Sequence, residues 1–417
     1  MPLPSAFSPF RIRSYRFQWP ADLLVSWAFE METLILGWYV LVETNSVLLL
    51  TTYGALLYGG TLIAPMMGVA SDRVGHRNML SGMRAIYACV AAVLMALAFA
   101  GVLNPLLVLV IAGVSGLVRP SDMGLRGALV AESMPPGQLT AAMSISRTTS
   151  DTARIAGALA GAGLFAMFGM APAYVAITIL YALGSLLTWC AVQAKSETAD
   201  AAAAVTTEVA ASASTWADLR EGVVHIWNTP SLLAIVWLAF LFNLTAFPLT
   251  NGLLPYVARE IYRIDQTGLG YLIASLAFGA LLGAIVMTWF GSGLRLPRLM
   301  LVSATVWHVL LLIFAQMQSL RGGIIVLFLA GVTQSLTMVC HTVILLRTAT
   351  PRFRGRVLGV RMLAIYSLPA GLLLAGALIE HISFRATATL FAGLGLVFTV
   401  LIGVKWYAAL AQPQPDA

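Results

Sequence analysis

Charged side chains recur at helical spacing inside apolar stretches of this chain of 417 residues. In three stretches the polar residues fall three or four positions apart, so each set lies along one face of a helix. A charge in apolar surroundings is costly without a partner, so it marks an ion pair, a proton relay or a polar cavity. The sets are Asp22, Ser26, Glu30, Thr33 and Gly37; Ser115, Arg119, Asp122 and Arg126; and Ser144, Arg147, Asp151 and Arg154.

Glu30 is predicted to carry a proton or another cation, beside Arg119 and Asp122 in a polar cavity. Burial disfavours the charged form of a carboxyl group and a nearby arginine favours it, so a change in exposure could switch its protonation. The alternative is a static ion pair of Glu30 with Arg119 or Arg154. Glu32 lies about 200° around the helix from Glu30, which predicts a packing partner outside that site.

The two halves of the sequence differ in their polar content. Ten charged residues fall inside apolar stretches of the first half and two, Arg347 and Arg361, in the second. In the first half, Arg147, Asp151 and Arg154 are spaced for mutual pairing and predict a structural charge network. In the second half, His308 and His341 are predicted to be satisfied core histidines, because neither has a second metal-type ligand nearby in the sequence. We predict that the substrate contacts of the second half are Asn243, Thr250, Gln334, Thr337 and His341.

The elements that position these residues follow from composition. The chain is 59% hydrophobic and 10% charged, with a mean hydropathy of +0.88, whereas soluble domains carry about 25% charged residues. Stretches that are apolar on every face exclude a β-barrel and predict an all-α membrane protein. Twelve stretches are long enough to span a bilayer: 20–42, 47–70, 79–101, 105–130, 139–166, 171–193, 231–257, 267–290, 297–317, 322–347, 357–379 and 384–407.

The distribution of basic residues predicts the orientation. With both termini in the cytoplasm, the cytoplasmic segments hold 13 Lys and Arg and the opposite loops hold 4. The predicted organisation is a lead-in at 1–19, a six-helix bundle at 20–193, a cytoplasmic linker at 194–229, a second six-helix bundle at 230–407 and a tail at 408–417. The linker is expected to contain a surface helix around 216–227.

The loop between the second and third spans has a distinctive composition. It reads Gly68, Val, Ala, Ser, Asp72, Arg73, Val, Gly75, His and Arg77. Glycines permit tight turns, an aspartate can accept hydrogen bonds from a helix N-terminus, and basic residues suit the membrane surface. The loop resembles the signature loop of the major facilitator superfamily, although a histidine stands where arginine or lysine is usual.

This resemblance implies a fold and roles for several residues. It implies two pseudo-symmetric six-helix bundles in which spans one, four, seven and ten line a central cavity. It also implies that Asp72 and Arg126 join a charge network that holds the outward-facing state. Further stretches are similar to the drug and siderophore exporter branch. An exporter motif in the fifth span has Ala158 in place of its proline, while Gly157 and Gly161 retain the spacing for close helix packing.

Other function classes lack their motifs. The only lysines, Lys195 and Lys405, do not follow a glycine, so the sequence has no G-x-x-x-x-G-K-[ST] loop for ATP. The cysteines fall inside apolar spans and indicate neither a disulfide framework nor a metal site. We predict a protein that is not an enzyme, with no cofactor, no metal and no nucleic-acid partner.

The predicted function is secondary transport by alternating access. We expect proton-coupled efflux of a drug-like compound or siderophore by a monomer in the inner cell membrane, with the lipid bilayer, the substrate and protons as partners. The alternatives are uptake or facilitated passage of a small solute, and a membrane sensor or assembly partner that transports nothing.

Overall fold

A computed structural model describes residues 8–62, 71, 74–191, 215–290, 295–348, 357, 360–361 and 364–411. Throughout these ranges the regular elements are helices. Two 3-10 turns cover Ser8–Arg11 and Gly59–Leu62. The α-helices are α1 (Arg13–Thr44), α2 (Val47–Leu56), α3 (His76–Phe99), α4 (Pro105–Ser133), α5 (Pro136–Phe168), α6 (Met170–Cys190), α7 (Thr215–Asn228), α8 (Pro230–Leu241), α9 (Gln266–Phe290), α10 (Leu296–Gln316), α11 (Leu320–Thr348), α12 (Ser367–Ile382) and α13 (Phe384–Ala411).

Local sequence explains where several helices begin and end. Helix α1 ends at Thr44 because Asn45 adopts a left-handed conformation, with φ of 51°, and its N–H closes the last turn on Leu41. Helix α4 begins at Pro105, where a missing N–H does no harm, and the side chain of Asn104 accepts the Leu107 N–H at 2.9 Å.

Nine helices in the described ranges are long and apolar enough to cross a membrane. Three of the twelve predicted spans are not among them. The fifth corresponds to α5, which is 33 residues long and carries three charges near its middle, at Arg147, Asp151 and Arg154. The second and eleventh correspond in part to the shorter apolar helices α2 and α12. The described protein is therefore all-helical and multi-pass, as the composition predicts.

The second predicted span is not one continuous helix. Helix α2 stops at Leu56 and the 3-10 turn Gly59–Leu62 follows. At this point the chain passes α4 very closely, because a Cβ on Gly60 would collide with the Leu117 carbonyl and one on Gly116 with the Leu56 carbonyl. Backbone contact of this kind requires glycine on both sides.

The seventh predicted span contains wide helical turns that the sequence did not predict. After α8 the chain forms π-helical segments at Phe242–Ala246, Pro248–Gly252 and Val257–Ile261, with one α-turn at Leu254–Tyr256 between the last two. Proline at position 248 has no N–H for the regular helical ladder. π-turns are rare and frequently lie at functional sites.

Two compact units emerge from the packing of the chain. The first comprises Met1–Asn45, Leu56–Ala210 and Asp265–Ala274, and the second comprises Ser46–Ala55, Ala211–Ile264 and Ser275–Ala417. Most of α2 thus groups with the second unit. Helix α7 covers most of the stretch where a surface helix was expected, whereas the alanine-rich run at 199–213 lies outside the described residues.

Candidate functional site

The charged residues of the first unit converge because small residues let α1 approach its neighbours. Helix α1 packs against α5 and α6. A Cβ on Gly157 would lie 2.8 Å from the Cβ of Glu30, and one on Gly161 would lie 2.8 Å from the Cα of Met31. The close packing predicted from the spacing of these two glycines is therefore confirmed, and it lies directly beside Glu30.

Two aspartates and two arginines form a closed ring between α1, α3 and α4. Arg84 pairs with Asp22, and its Nε lies 3.6 Å from Asp122 Oδ1. Arg126 completes the ring, with Nη2 2.7 Å from Asp122 Oδ2 and Nε 3.5 Å from Asp22 Oδ1. None of the four side chains is more than 16% exposed. The ring is electrically neutral, so each buried charge is compensated.

Neutral side chains add further hydrogen bonds to the ring. Arg84 donates to Thr188 Oγ1 at 2.6 Å, and Arg126 donates to Ser26 Oγ at 3.0 Å. Asp122 was predicted beside Glu30 in a cavity, and the structure places it in this ring instead. Arg84 was not among the predicted site residues, although its position as a lone charge inside an apolar span was a usable signal.

A second buried pair joins Arg119 to Glu32. Arg119 donates to the Glu32 carboxylate and also to Tyr181 Oη at 3.0 Å, and Tyr181 donates to Glu32 Oε2 at 2.8 Å. The guanidinium lies 3.9 Å from the ring centroid of Phe29, a cation–π contact. Arg119 therefore forms an ion pair with Glu32. Glu32 was predicted to be a packing partner outside the Glu30 site. It does lie apart from Glu30, but it forms an ion pair with Arg119.

Glu30 pairs with Arg154, which was one of its two predicted partners. Arg154 Nε lies 3.7 Å from Glu30 Oε1, and the two side chains are 38% and 20% exposed. Earlier on α5, Arg147 Nε lies 3.2 Å from Asp151 Oδ2, so two of the three residues expected to form a charge network along this helix lie within ion-pair distance. The Glu30 carboxylate is thus more accessible and more loosely held than those of Asp22 and Glu32.

The signature-like loop is described only at its end. Gly68, Asp72 and Arg73 lie outside the described residues. Gly75 precedes α3 with φ of 89°, a conformation that favours glycine. Arg77 donates to the Ala191 carbonyl at 3.2 Å and stacks over Trp189.

The histidine that departs from the usual pattern of this loop has an acidic partner. His76 Nδ1 lies 2.6 Å from Glu132 Oε1, which joins the start of α3 to the end of α4. The side chain of His76 is 19% exposed and that of Glu132 is 46% exposed.

The predicted substrate residues of the second unit lie in its helix packing. Asn243 donates to the Ala239 carbonyl at 2.9 Å, and Thr250 is 1% exposed. Thr337 donates to Ser303 Oγ at 2.9 Å, and Gln334 is 7% exposed. Four of the five predicted residues, all except Asn243, are thus buried in this structure.

Both predicted core histidines have backbone partners. His341 Nε2 lies 2.9 Å from the Ile235 carbonyl and links α11 to α8. His308 Nδ1 lies 2.9 Å from the Ala304 carbonyl. Phe242, at the start of the π-helical region, packs near both imidazole rings and against Trp307. This aromatic cluster and Tyr181 were missed, because aromatic residues in apolar spans are ordinarily core.

Comparison with known proteins identifies the fold. Residues 4–412 match the sequence profile of a family described as transmembrane secretion effector. The POT family transporter PepTSo gives a TM-score of 0.74 at 12% identity, covering 96% of this chain and 99% of that one. The D-xylose-proton symporter gives 0.67 at 13% identity, covering 93% and 96%. A bacterial homolog to the human lysosomal transporter Spinster, inward-facing and unoccupied, gives 0.63 at 14% identity, covering 95% and 96%. No curated protein matches the sequence.

Proposed function

Since the chain belongs to the transmembrane secretion effector family of the major facilitator superfamily, we propose that it exports a small organic molecule, a drug-like compound or a siderophore, in exchange for protons. The family and the fold are those of transporters of small solutes. The proposal includes twelve transmembrane helices in two six-helix bundles, a monomer, and cytoplasmic termini in the inner cell membrane. The description of the family as a secretion effector favours the outward direction.

The accessibility of Glu30 carries the coupling proposal. A coupling carboxyl group must exchange its proton with water, and Glu30 is 20% exposed with a single arginine at 3.7 Å. By contrast, Asp22 and Glu32 are 4% and 6% exposed; Asp22 lies within ion-pair distance of both Arg84 and Arg126, and Glu32 accepts hydrogen bonds from Arg119 and Tyr181. Of these three carboxylates on α1, Glu30 is the one whose protonation disturbs the fewest of these contacts.

The position of Glu30 links its charge to helix movement. The ion pair joins α1 to α5, and Gly157 brings the two helices together at the same level. Protonation removes the attraction between Glu30 and Arg154 and leaves one uncompensated positive charge. The proton can thus change the relative stability of two arrangements of these helices, which is what alternating access requires.

Exchange and uptake differ in whether the substrate and the proton bind to Glu30 and Arg154 in turn or together. In exchange they compete, so a cationic group of the substrate would replace Arg154 as the partner of the Glu30 carboxylate. In uptake they bind together, so an anionic group would bind Arg154 after Glu30 is protonated. The 38% exposure of Arg154 makes the second arrangement the alternative to test.

The test is transport by the purified full-length protein in liposomes with an imposed pH gradient. A mixture of drugs, siderophores and metabolites is offered, and mass spectrometry identifies the compounds that move. Glu30→Gln is compared with Glu43→Gln, the same change at an exposed position of α1. We expect uphill movement against the proton flow in the wild type and the Glu43 variant, and only equilibration in the Glu30 variant.

The other outcomes overturn specific parts of the proposal. Accumulation in the same direction as the protons would establish symport in place of exchange. Downhill movement alone, unchanged by Glu30→Gln, would establish a facilitator in which Glu30 is a static partner. If no compound moves and both variants behave like the wild type, the sensor or assembly role is favoured.

A further inference from the structure

A groove between α10 and α13 has the chemistry of a phospholipid site. The cavity has a volume of about 460 Å³, within the roughly 300–1,000 Å³ of ligand sites. Its lining is mostly aliphatic, with Leu301, Val302 and Val306 on α10 and Val400 and Val404 on α13. Since four of these five side chains, all except Leu301, are at least 40% exposed, the groove is open along its length.

One end of the groove is basic and aromatic. Arg298, in the first turn of α10, and Tyr407, near the end of α13, line this end. Lys405 and Trp406 lie on the same turn of α13 as Tyr407, with the lysine ammonium 4.5 Å from the indole centroid. Tryptophan, tyrosine and basic residues at the end of a membrane helix mark the headgroup region.

Helices α10 and α13 carry positive charges and no negatively charged residue of their own. Neither α10 nor α13 contains an aspartate or a glutamate. Among the described residues, no carboxylate lies within ion-pair distance of Arg298. The arginine is exposed, so its guanidinium is available to a phosphate, which it can bind through two parallel hydrogen bonds.

The far end of the groove presents an apolar surface, although two threonines line it. From Arg298 to Val306, and from Tyr407 to Thr399, each helix rises about 12 Å, which matches the upper part of an acyl chain. Thr305 donates to the Leu301 carbonyl at 2.8 Å, and Thr399 is 1% exposed, so neither presents a free hydroxyl at the surface.

We propose that this groove binds an anionic phospholipid, with its phosphate on Arg298 and an acyl chain along the aliphatic lining. Basic pockets between membrane helices are known to bind anionic headgroups. Gly403 keeps the groove open, because a Cβ there would lie 3.4 Å from the Leu301 side chain and a larger group would fill the space. The site depends on membrane insertion and not on the identity of the transported compound.

Native mass spectrometry of the purified protein in neutral detergent tests this site. Phosphatidylglycerol, phosphatidylcholine and inorganic phosphate are titrated separately. We expect preferential binding of phosphatidylglycerol, weakened about fivefold by Arg298→Gln, which corresponds to about 1 kcal/mol for one arginine near the membrane surface. Gly403→Leu should weaken both lipids, and Arg321→Gln, an exposed arginine on α11, should weaken neither.

Three results would overturn the proposal. Equal binding of the two lipids would remove the role of headgroup charge. An equal loss in the Arg298 and Arg321 variants would indicate general surface attraction. Competition by inorganic phosphate at the lipid concentration would indicate an anion site without an acyl component. If the Arg298 variant cannot be purified, lipid binding by the Gly403→Leu variant still tests whether the lipid occupies this groove, and unchanged binding would place it elsewhere.

Discussion

Removing the charge of Glu32 is expected to damage the protein far more than removing that of Glu30. The two residues are two positions apart on α1, and the variants Glu32→Gln and Glu30→Gln make the same chemical change. Glu32 and its partner Arg119 are 6% and 7% exposed. Glu30 and Arg154 are 20% and 38% exposed and their closest N–O distance is 3.7 Å.

These exposures determine how much unfolding free energy each variant is expected to lose. Removing one partner of a buried ion pair leaves an uncompensated charge and costs about 3–5 kcal/mol. Glutamine can still accept the Tyr181 hydroxyl, so we expect the lower end of that range, about 3 kcal/mol, for Glu32→Gln. For Glu30→Gln we expect about 1 kcal/mol or less, because solvent screens a pair in which the arginine is more than a third exposed.

Equilibrium unfolding with SDS in mixed micelles measures both values under one condition. The double variant Glu32→Gln/Arg119→Met supplies a further test, since removing both charges leaves no unpaired cation. It should be more stable than Glu32→Gln alone. A loss in Glu30→Gln as large as that in Glu32→Gln would refute the assignment of buried and accessible pairs, as would simple additivity in the double variant.

The remaining predictions concern close contacts at glycine. Gly157→Ala would place a Cβ 2.8 Å from an atom of α1, so we expect a loss of about 1–3 kcal/mol and slower transport; Gly163→Ala, on the same helix with nothing within 4 Å, should preserve both. Gly395→Ala would drive a Cβ into the His308 ring and should destabilise by a similar amount, with Gly393→Ala as its harmless counterpart. SDS unfolding and liposome transport rates check each pair, and equal losses within a pair would contradict the packing described.

Helical spacing predicted which side chains share a face of α1, but not which neighbours they meet. Asp22 and Ser26 were placed on one stripe, and both contact Arg126. The spacing also separated Glu32 from Glu30 correctly. It could not show that Arg119 turns toward Glu32, because that choice depends on the position of α6, where Tyr181 supplies a hydrogen bond. Helical spacing assigns each side chain to a face of its own helix. The partner that the side chain meets is determined by tertiary packing.

The π-helical region shows a second limit of the sequence. A continuous apolar stretch at 231–257 predicts a span, and the span is present. The wider turns from Phe242 onward leave no signature in the sequence. Where nearly every residue is apolar, about one extra residue per turn does not change the pattern of apolar and polar positions. The signals that could have indicated an interruption are Pro248 and Pro255, which lack the N–H of the regular helical ladder.

The ring of Asp22, Arg84, Asp122 and Arg126 is poorly suited to take up a proton. Protonating either aspartate would leave Arg84, which is 0% exposed, with too little negative charge around it. That penalty is of the size of a broken buried pair, about 3–5 kcal/mol, and would have to be overcome in every cycle. Two arginines bridging two aspartates instead hold α1, α3 and α4 at fixed distances. Under the proposed coupling at Glu30, such a fixed frame would make the Glu30 pair effective, because a change in one accessible charge would act on the α1–α5 contact and would not be absorbed by the other helices.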